Sequence, residues 1–72
     1  MSKYKILAKK AVKETILKYC PNQNCKLDAV ELKTAALEKA NTISNEKADP
    51  LFDDEIEAVK EEISILITNY LN

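Results

Sequence analysis

Residues 52–71 read FDDEIEAVKEEISILITNYL and carry the strongest pattern in this chain of 72 residues. Apolar residues recur there at spacings of four, three, four, three and four, which is the repeat of a helix packed against other helices. The repeat covers about two and a half heptads, too few for a stable coiled coil but typical of a helical bundle. We therefore predict a helix over residues 51–71, with Asp49 or Asp53 capping its start. The residues of the repeat are Phe52, Ile56, Val59, Ile63, Leu66 and Tyr70.

The preceding helix has a distinct start signal. Asp28 can accept hydrogen bonds from the free N–H groups of a first turn, while Glu31 can reach back to the Asp28 backbone in a capping box. Leu27 and Leu32 occupy the two positions of a hydrophobic staple, which fixes how the chain enters a helix. The apolar face that follows contains four alanines, which permit close approach of a neighbouring helix. A helix over residues 28–44 is predicted.

The first helix is predicted over residues 3–20. No glycine or proline interrupts this stretch, and its apolar and small side chains fall on one broad helical face. Pro21 then disfavours helical geometry at Cys20. With no stretch of sustained strand-like alternation, the sequence predicts an all-α fold, a small antiparallel three-helix bundle formed by a single domain over residues 1–72.

Composition restricts the chemistry available to this chain. It contains no His, no Gly and no Arg, so we expect neither histidine-based catalysis nor a glycine-rich phosphate loop. Glu57 and Glu61 are spaced to share one helical face and could hold a divalent cation, but such a pair is more commonly a solvated face. We expect no enzymatic activity, no cofactor, no metal and no small-molecule substrate.

Charge is distributed unevenly along the sequence. Residues 1–20 carry six Lys and one Glu, residues 21–45 are balanced, and residues 46–72 carry two Lys and eight acids. Two interpretations fit this asymmetry. The basic and acidic helices pair across the surface of the bundle, each pair contributing at most about 1 kcal/mol, or the molecule presents one charged face to an oppositely charged partner.

Several apolar residues exceed what one three-helix core can cover. Ile6 and Leu17 lie within about 20° of each other in helical projection, on the face opposite the main apolar stripe of the first helix. The last two turns of the third helix are apolar on most sides, which favours either a central position or contact with another chain. We therefore predict protein–protein binding, as a homo-oligomer or as a regulator or inhibitor of a partner protein. The expected interface residues are Ile6, Leu17, Ile65, Ile67, Tyr70 and Leu71.

Nucleic-acid binding is the alternative hypothesis. Lys9, Lys10 and Lys13 of the first helix could contact phosphates and give non-specific, salt-sensitive binding. Against this, the chain lacks the arginines of a base reader, and the loop before the second helix is longer than the turn of a helix-turn-helix.

The segment YCPNQNCKL at residues 19–27 contains both cysteines, Cys20 and Cys25. A zinc site needs about four ligands, so only a dimer that pools its cysteines could complete one. No signal peptide or membrane-length apolar run is evident in the sequence, and we expect a cytoplasmic protein whose thiols stay reduced. The segment then serves mainly as a helix junction, with a Cys20–Cys25 disulfide as the alternative.

Overall fold

The computed structural model describes residues 2–72. It contains three α-helices, α1 (Lys3–Tyr19), α2 (Ala29–Glu46) and α3 (Asp53–Leu71), with a short 3₁₀ turn at Pro21–Gln23. Each helix packs against the other two, and no strand occurs among residues 2–72. The predicted all-α three-helix bundle is confirmed.

The helix directions follow from contacts at one end of the bundle. The Tyr4 hydroxyl near the start of α1 donates a hydrogen bond of 2.8 Å to Glu55 near the start of α3. The Lys3 ammonium lies 3.8 Å from Asp49, which follows the end of α2. Helices α1 and α3 therefore run parallel, and α2 runs antiparallel to both.

The predicted capping box at the start of α2 is confirmed. The Glu31 backbone N–H donates to the Asp28 carboxylate at 2.8 Å, and the Asp28 backbone N–H donates to the Glu31 side chain at 3.2 Å. Leu32 is fully buried, and Leu27 packs against the core. Asp28 is thus the cap, and the helix itself begins at Ala29.

Helix α2 ends two residues later than predicted, in a Schellman motif. The Asp49 N–H donates to the Ser44 carbonyl at 2.9 Å, and the Ala48 N–H donates to the Asn45 carbonyl at 3.0 Å. Ala48 adopts a left-handed conformation with φ of 56°, a position usually taken by glycine. Because the chain has no glycine, the sequence lacks the usual marker of this left-handed position.

The start of α3 also differs from the prediction. The helix begins at Asp53 with Phe52 as its cap, so neither Asp49 nor Asp53 is the capping residue. The Glu55 carboxylate accepts a hydrogen bond of 3.1 Å from the Phe52 backbone N–H and satisfies one of the free donors of the first turn. The Phe52 side chain is 71% exposed, so it does not belong to the packed repeat.

The core combines small and large side chains from different helices. The fully buried alanines are contributed by α1 and α2, whereas α3 supplies bulky β-branched side chains that are almost completely buried. Alanine surfaces let two helices approach closely, so that the α3 side chains fill the remaining volume. The alanines are Ala8, Ala11, Ala36 and Ala40, and the α3 residues are Val59, Ile63 and Ile67.

Ile67 is a correction to the predicted interface, because it is only 1% exposed. A strict heptad repeat directs Leu66 and Tyr70 inward and leaves Ile67 outside. Because α3 packs against two helices rather than one, its buried arc is wider than a two-helix seam and includes both Leu66 and Ile67. The innermost line on α3 is therefore Val59, Ile63 and Ile67.

Ala48→Gly should stabilise the protein by about 0.5–1 kcal/mol. Glycine adopts the left-handed conformation without the steric penalty that alanine carries, although its more flexible unfolded chain offsets part of this gain. Ala35→Gly, inside α2, is the matched control and should destabilise by about 1 kcal/mol. Denaturant unfolding measures both variants. A destabilised Ala48→Gly protein would contradict the left-handed helix end.

Candidate protein-binding surfaces

One stripe of α1 faces away from the core and contains both predicted apolar residues. Ile6, Lys10, Lys13 and Leu17 follow one another at spacings of four, three and four residues, which places them on one side of the helix. Ile6 is 56% exposed and Leu17 is 71% exposed. We call these four residues the α1 outer face. Its two apolar ends flank two lysines.

The lysines of the α1 outer face are not neutralised by ion pairs in the described part of the chain. The ion pairs found there join Lys3 to Asp49 and Glu55, and Lys39 to Glu14. Pairing between the basic and acidic helices therefore consists of one Lys3–Glu55 contact of 3.4 Å. Within residues 2–72, no carboxylate lies within 4.0 Å of the ammonium groups of Lys9, Lys10 or Lys13.

A second stripe with the opposite charge lies on α3. Asp54, Glu57, Glu61 and Ile65 recur at spacings of three, four and four residues and are all exposed. We call these four residues the α3 outer face. None of its three carboxylates has a lysine within 4.0 Å among residues 2–72. In the folded protein, the charge asymmetry of the sequence therefore gives two exposed helical faces of opposite charge.

The structure separates the residues predicted as an interface at the end of α3. Ile65 and Leu71 are about 120° apart around the helix, and Tyr70 is 39% exposed near its end. With Ile67 in the core, these residues do not form one continuous patch. Ile65 shares its face with the unpaired carboxylates of Asp54, Glu57 and Glu61.

Two exposed apolar residues fall outside the predicted interface. Val30 is 72% exposed and Phe52 is 71% exposed. Val30 lies about 120° from the line of buried residues on α2 in helical projection, so the periodicity could have identified it. The two residues occupy opposite ends of the bundle, since Val30 begins α2 and Phe52 precedes α3.

Each apolar end of the α1 outer face borders a groove that lies between α1 and α2. Ile6 borders a cavity of about 180 Å³ with Leu7 and Leu51 in its lining and Lys10 and Lys47 beside them. Leu17 borders a wider, open groove lined also by Tyr19, Ala35 and Lys39. Asp49 also lines the first groove, and Glu14, which pairs with Lys39, lines the second, so the charges beside these apolar side chains are of both signs.

The junction between α1 and α2 is closed by a disulfide between Cys20 and Cys25. The Lys26 N–H also donates to the Tyr19 carbonyl at 2.8 Å, so backbone and side chains close the same loop. This bonded state differs from the reduced thiols that we expect in a cytoplasm. Bonded sulfurs are not thiolate ligands, and no group of three or more Cys, Asp or Glu side chains in residues 2–72 is arranged to hold a metal.

Glu55 connects α1 to α3 at the end of the bundle where both helices begin. It accepts hydrogen bonds from the Phe52 N–H and the Tyr4 hydroxyl and pairs with Lys3. The Phe52 backbone donor, the Tyr4 hydroxyl and Lys3 hold the pKa of Glu55 below its ordinary value. The hydrogen bond to Glu55 raises the pKa of Tyr4. Contact with Glu55, together with the nearby charge of Asp49, raises the pKa of Lys3. These contacts stabilise the ionised carboxylate and place it in a structural role.

Comparisons with protein-family models, with curated proteins and with solved structures gave no match to this chain. No helix within residues 2–72 combines the length and the apolar character needed to cross a membrane.

Stability should decrease as the pH falls below 4.5, the ordinary pKa of Glu55. A carboxyl whose pKa is lowered on folding stabilises the protein above its unfolded pKa, and this contribution is lost as the pH falls through the folded pKa. Glu55→Gln should be less stable than wild type at neutral pH and lose less stability on acidification. Thermal unfolding across this pH range measures both effects.

Glu38→Gln is the matched control, since Glu38 is exposed and its side chain has no hydrogen bond or ion pair among residues 2–72. Its stability should follow the wild-type pH dependence. Equal pH dependence of Glu55→Gln and wild type would show that Glu55 does not connect the helices as described.

Proposed function

We propose that this chain acts by protein–protein binding rather than by catalysis, and that the α1 outer face is its principal binding surface. The partner is a second copy of the chain in a homo-oligomer or another protein that it regulates or inhibits. The observation that supports this proposal is the combination, on one helical stripe, of exposed Ile6 and Leu17 with Lys10 and Lys13.

The energetics of this stripe favour a protein partner. Full burial of a large aliphatic side chain is worth about 1.5–3 kcal/mol, and Ile6 and Leu17 each retain more than half of their exposure. The stems of Lys10 and Lys13 can cover apolar surface while their ammonium groups contact carboxylates. Charged groups around an apolar contact accelerate encounter and select the partner more than they tighten binding.

An Ile6→Ser, Leu17→Ser double variant should weaken capture of partner proteins from the native host by at least about tenfold, the effect of losing about 1.4 kcal/mol. The measurement is affinity capture with tagged wild type and variant, followed by quantitative identification of the captured chains. Captured chains include untagged copies of this protein.

Val30→Ser is the matched control, because Val30 is at least as exposed as Leu17 and lies on α2. It should capture the same proteins as wild type. Circular dichroism should show helical content unchanged in both variants. Equal capture by the double variant and wild type would remove the α1 outer face as the binding surface.

Nucleic-acid binding is retained as a second candidate function, because Lys9, Lys10 and Lys13 have no carboxylate partner within the described residues. Lys9→Glu with Lys13→Glu should weaken retention of DNA or RNA and reduce the slope of log affinity against log salt by about two, one unit per lost phosphate contact. Filter retention across a salt series measures this slope.

Lys26→Glu with Lys47→Glu makes the same change in net charge outside α1 and should leave the salt slope closer to that of wild type. Absence of retention by the wild-type protein at about 50 mM salt would contradict this function, since non-specific phosphate binding is strongest at low salt.

A further inference from the structure

The two outer faces of this molecule complement each other in charge and in apolar content. The α1 outer face carries two lysines between Ile6 and Leu17, and the α3 outer face carries three carboxylates before Ile65. Both faces are exposed, and neither charge set is paired within residues 2–72. We infer that the α1 outer face of one copy docks on the α3 outer face of a second copy. This inference rests on the proposed function, because it names the occupant of the same surface.

Charge selects contact between unlike faces over contact between like faces. A symmetric α1–α1 contact would oppose Lys10 and Lys13 to their own copies, and an α3–α3 contact would oppose Glu57 and Glu61 in the same way. Like charges facing each other across an interface are unfavourable. An α1–α3 contact instead brings each lysine near a carboxylate.

The residue spacing allows one apolar contact and one adjacent ion pair in either alignment of the two helices. Leu17 follows Lys13 by four residues, and Ile65 follows Glu61 by four residues. A parallel alignment that places Leu17 beside Ile65 therefore brings Lys13 level with Glu61. In an antiparallel alignment, Ile6 lies beside Ile65 and Lys10 lies level with Glu61. Each alignment gives one apolar contact next to one ion pair, while the other lysine lies level with Ala58, beside Glu57, and the remaining apolar residue lies level with Asp54.

Contact between two different faces is heterologous, and each copy keeps one face free after a first docking step. Such contacts generate rings when the rotation between copies closes and open chains when it does not. The expected assembly therefore grows beyond a dimer as concentration rises. Because exposed ion pairs contribute to it, its affinity should fall with increasing salt.

Two charge-reversal variants test the inference directly. One carries Lys10→Glu and Lys13→Glu, and the other carries Glu57→Lys and Glu61→Lys. Sedimentation should show wild type with an apparent mass above the 8.1 kDa of one chain and each variant alone as a monomer. In an equal mixture, the reversed face of each variant meets a complementary face on the other, so association should return.

Matched controls separate this contact from attraction between molecules of opposite net charge. Lys26→Glu with Lys60→Glu and Glu46→Lys with Asp53→Lys change the net charge by the same amounts, at exposed positions off both outer faces and outside the grooves beside Ile6 and Leu17. Each control alone should associate as wild type does. Circular dichroism should show all four variants folded.

A monomeric wild type would overturn the inference, as would charge-reversal variants that self-associate like wild type. The inference would also be overturned if the mixture of the two charge-reversal variants remained monomeric. A monomeric wild type whose capture of other proteins still depends on Ile6 and Leu17 would overturn self-docking alone and leave the proposed function standing. If that capture is also independent of Ile6 and Leu17, both proposals fail.

Discussion

The burial of small alanine side chains on both α1 and α2, which permits close approach of the helices, is the constraint on which the rest of this structure depends. Four alanines, two from each helix, are fully buried, and their small side chains leave room for α3 to insert its larger ones. A chain of 72 residues has little apolar material to bury, so this division of small and large side chains produces a closed core. Apolar residues on other sides of the helices then remain at the surface.

Features that depend on neighbouring residues could be predicted from the sequence. The capping box of α2 requires only Asp28 and Glu31, three positions apart, and both of its hydrogen bonds are present. The end of α2 could not be placed, because its left-handed residue is an alanine rather than a glycine. The start of α3 was missed because the Glu55 side chain, not a conventional cap, satisfies the Phe52 N–H.

Surface predictions depend on how many helices each element contacts, which periodicity alone does not specify. Ile6 and Leu17 lie opposite the buried stripe of α1, and their exposure follows directly from helical geometry. Ile67 was placed wrongly because α3 packs against two neighbours. The pairing of charges required the three-dimensional arrangement, since Lys3 meets Glu55 from a distant part of the sequence while Lys10 and Lys13 meet no described carboxylate.

The parallel arrangement of α1 and α3 separates the two ends of the described chain. The bundle is 33 Å long, and α1 begins at the end opposite to that where α3 finishes. A covalent linker from the end of α3 back to the start of α1 would need about ten extended residues at roughly 3.3 Å each. In a tandem fusion with a linker much shorter than this, the second bundle could not lie beside the first in the same orientation.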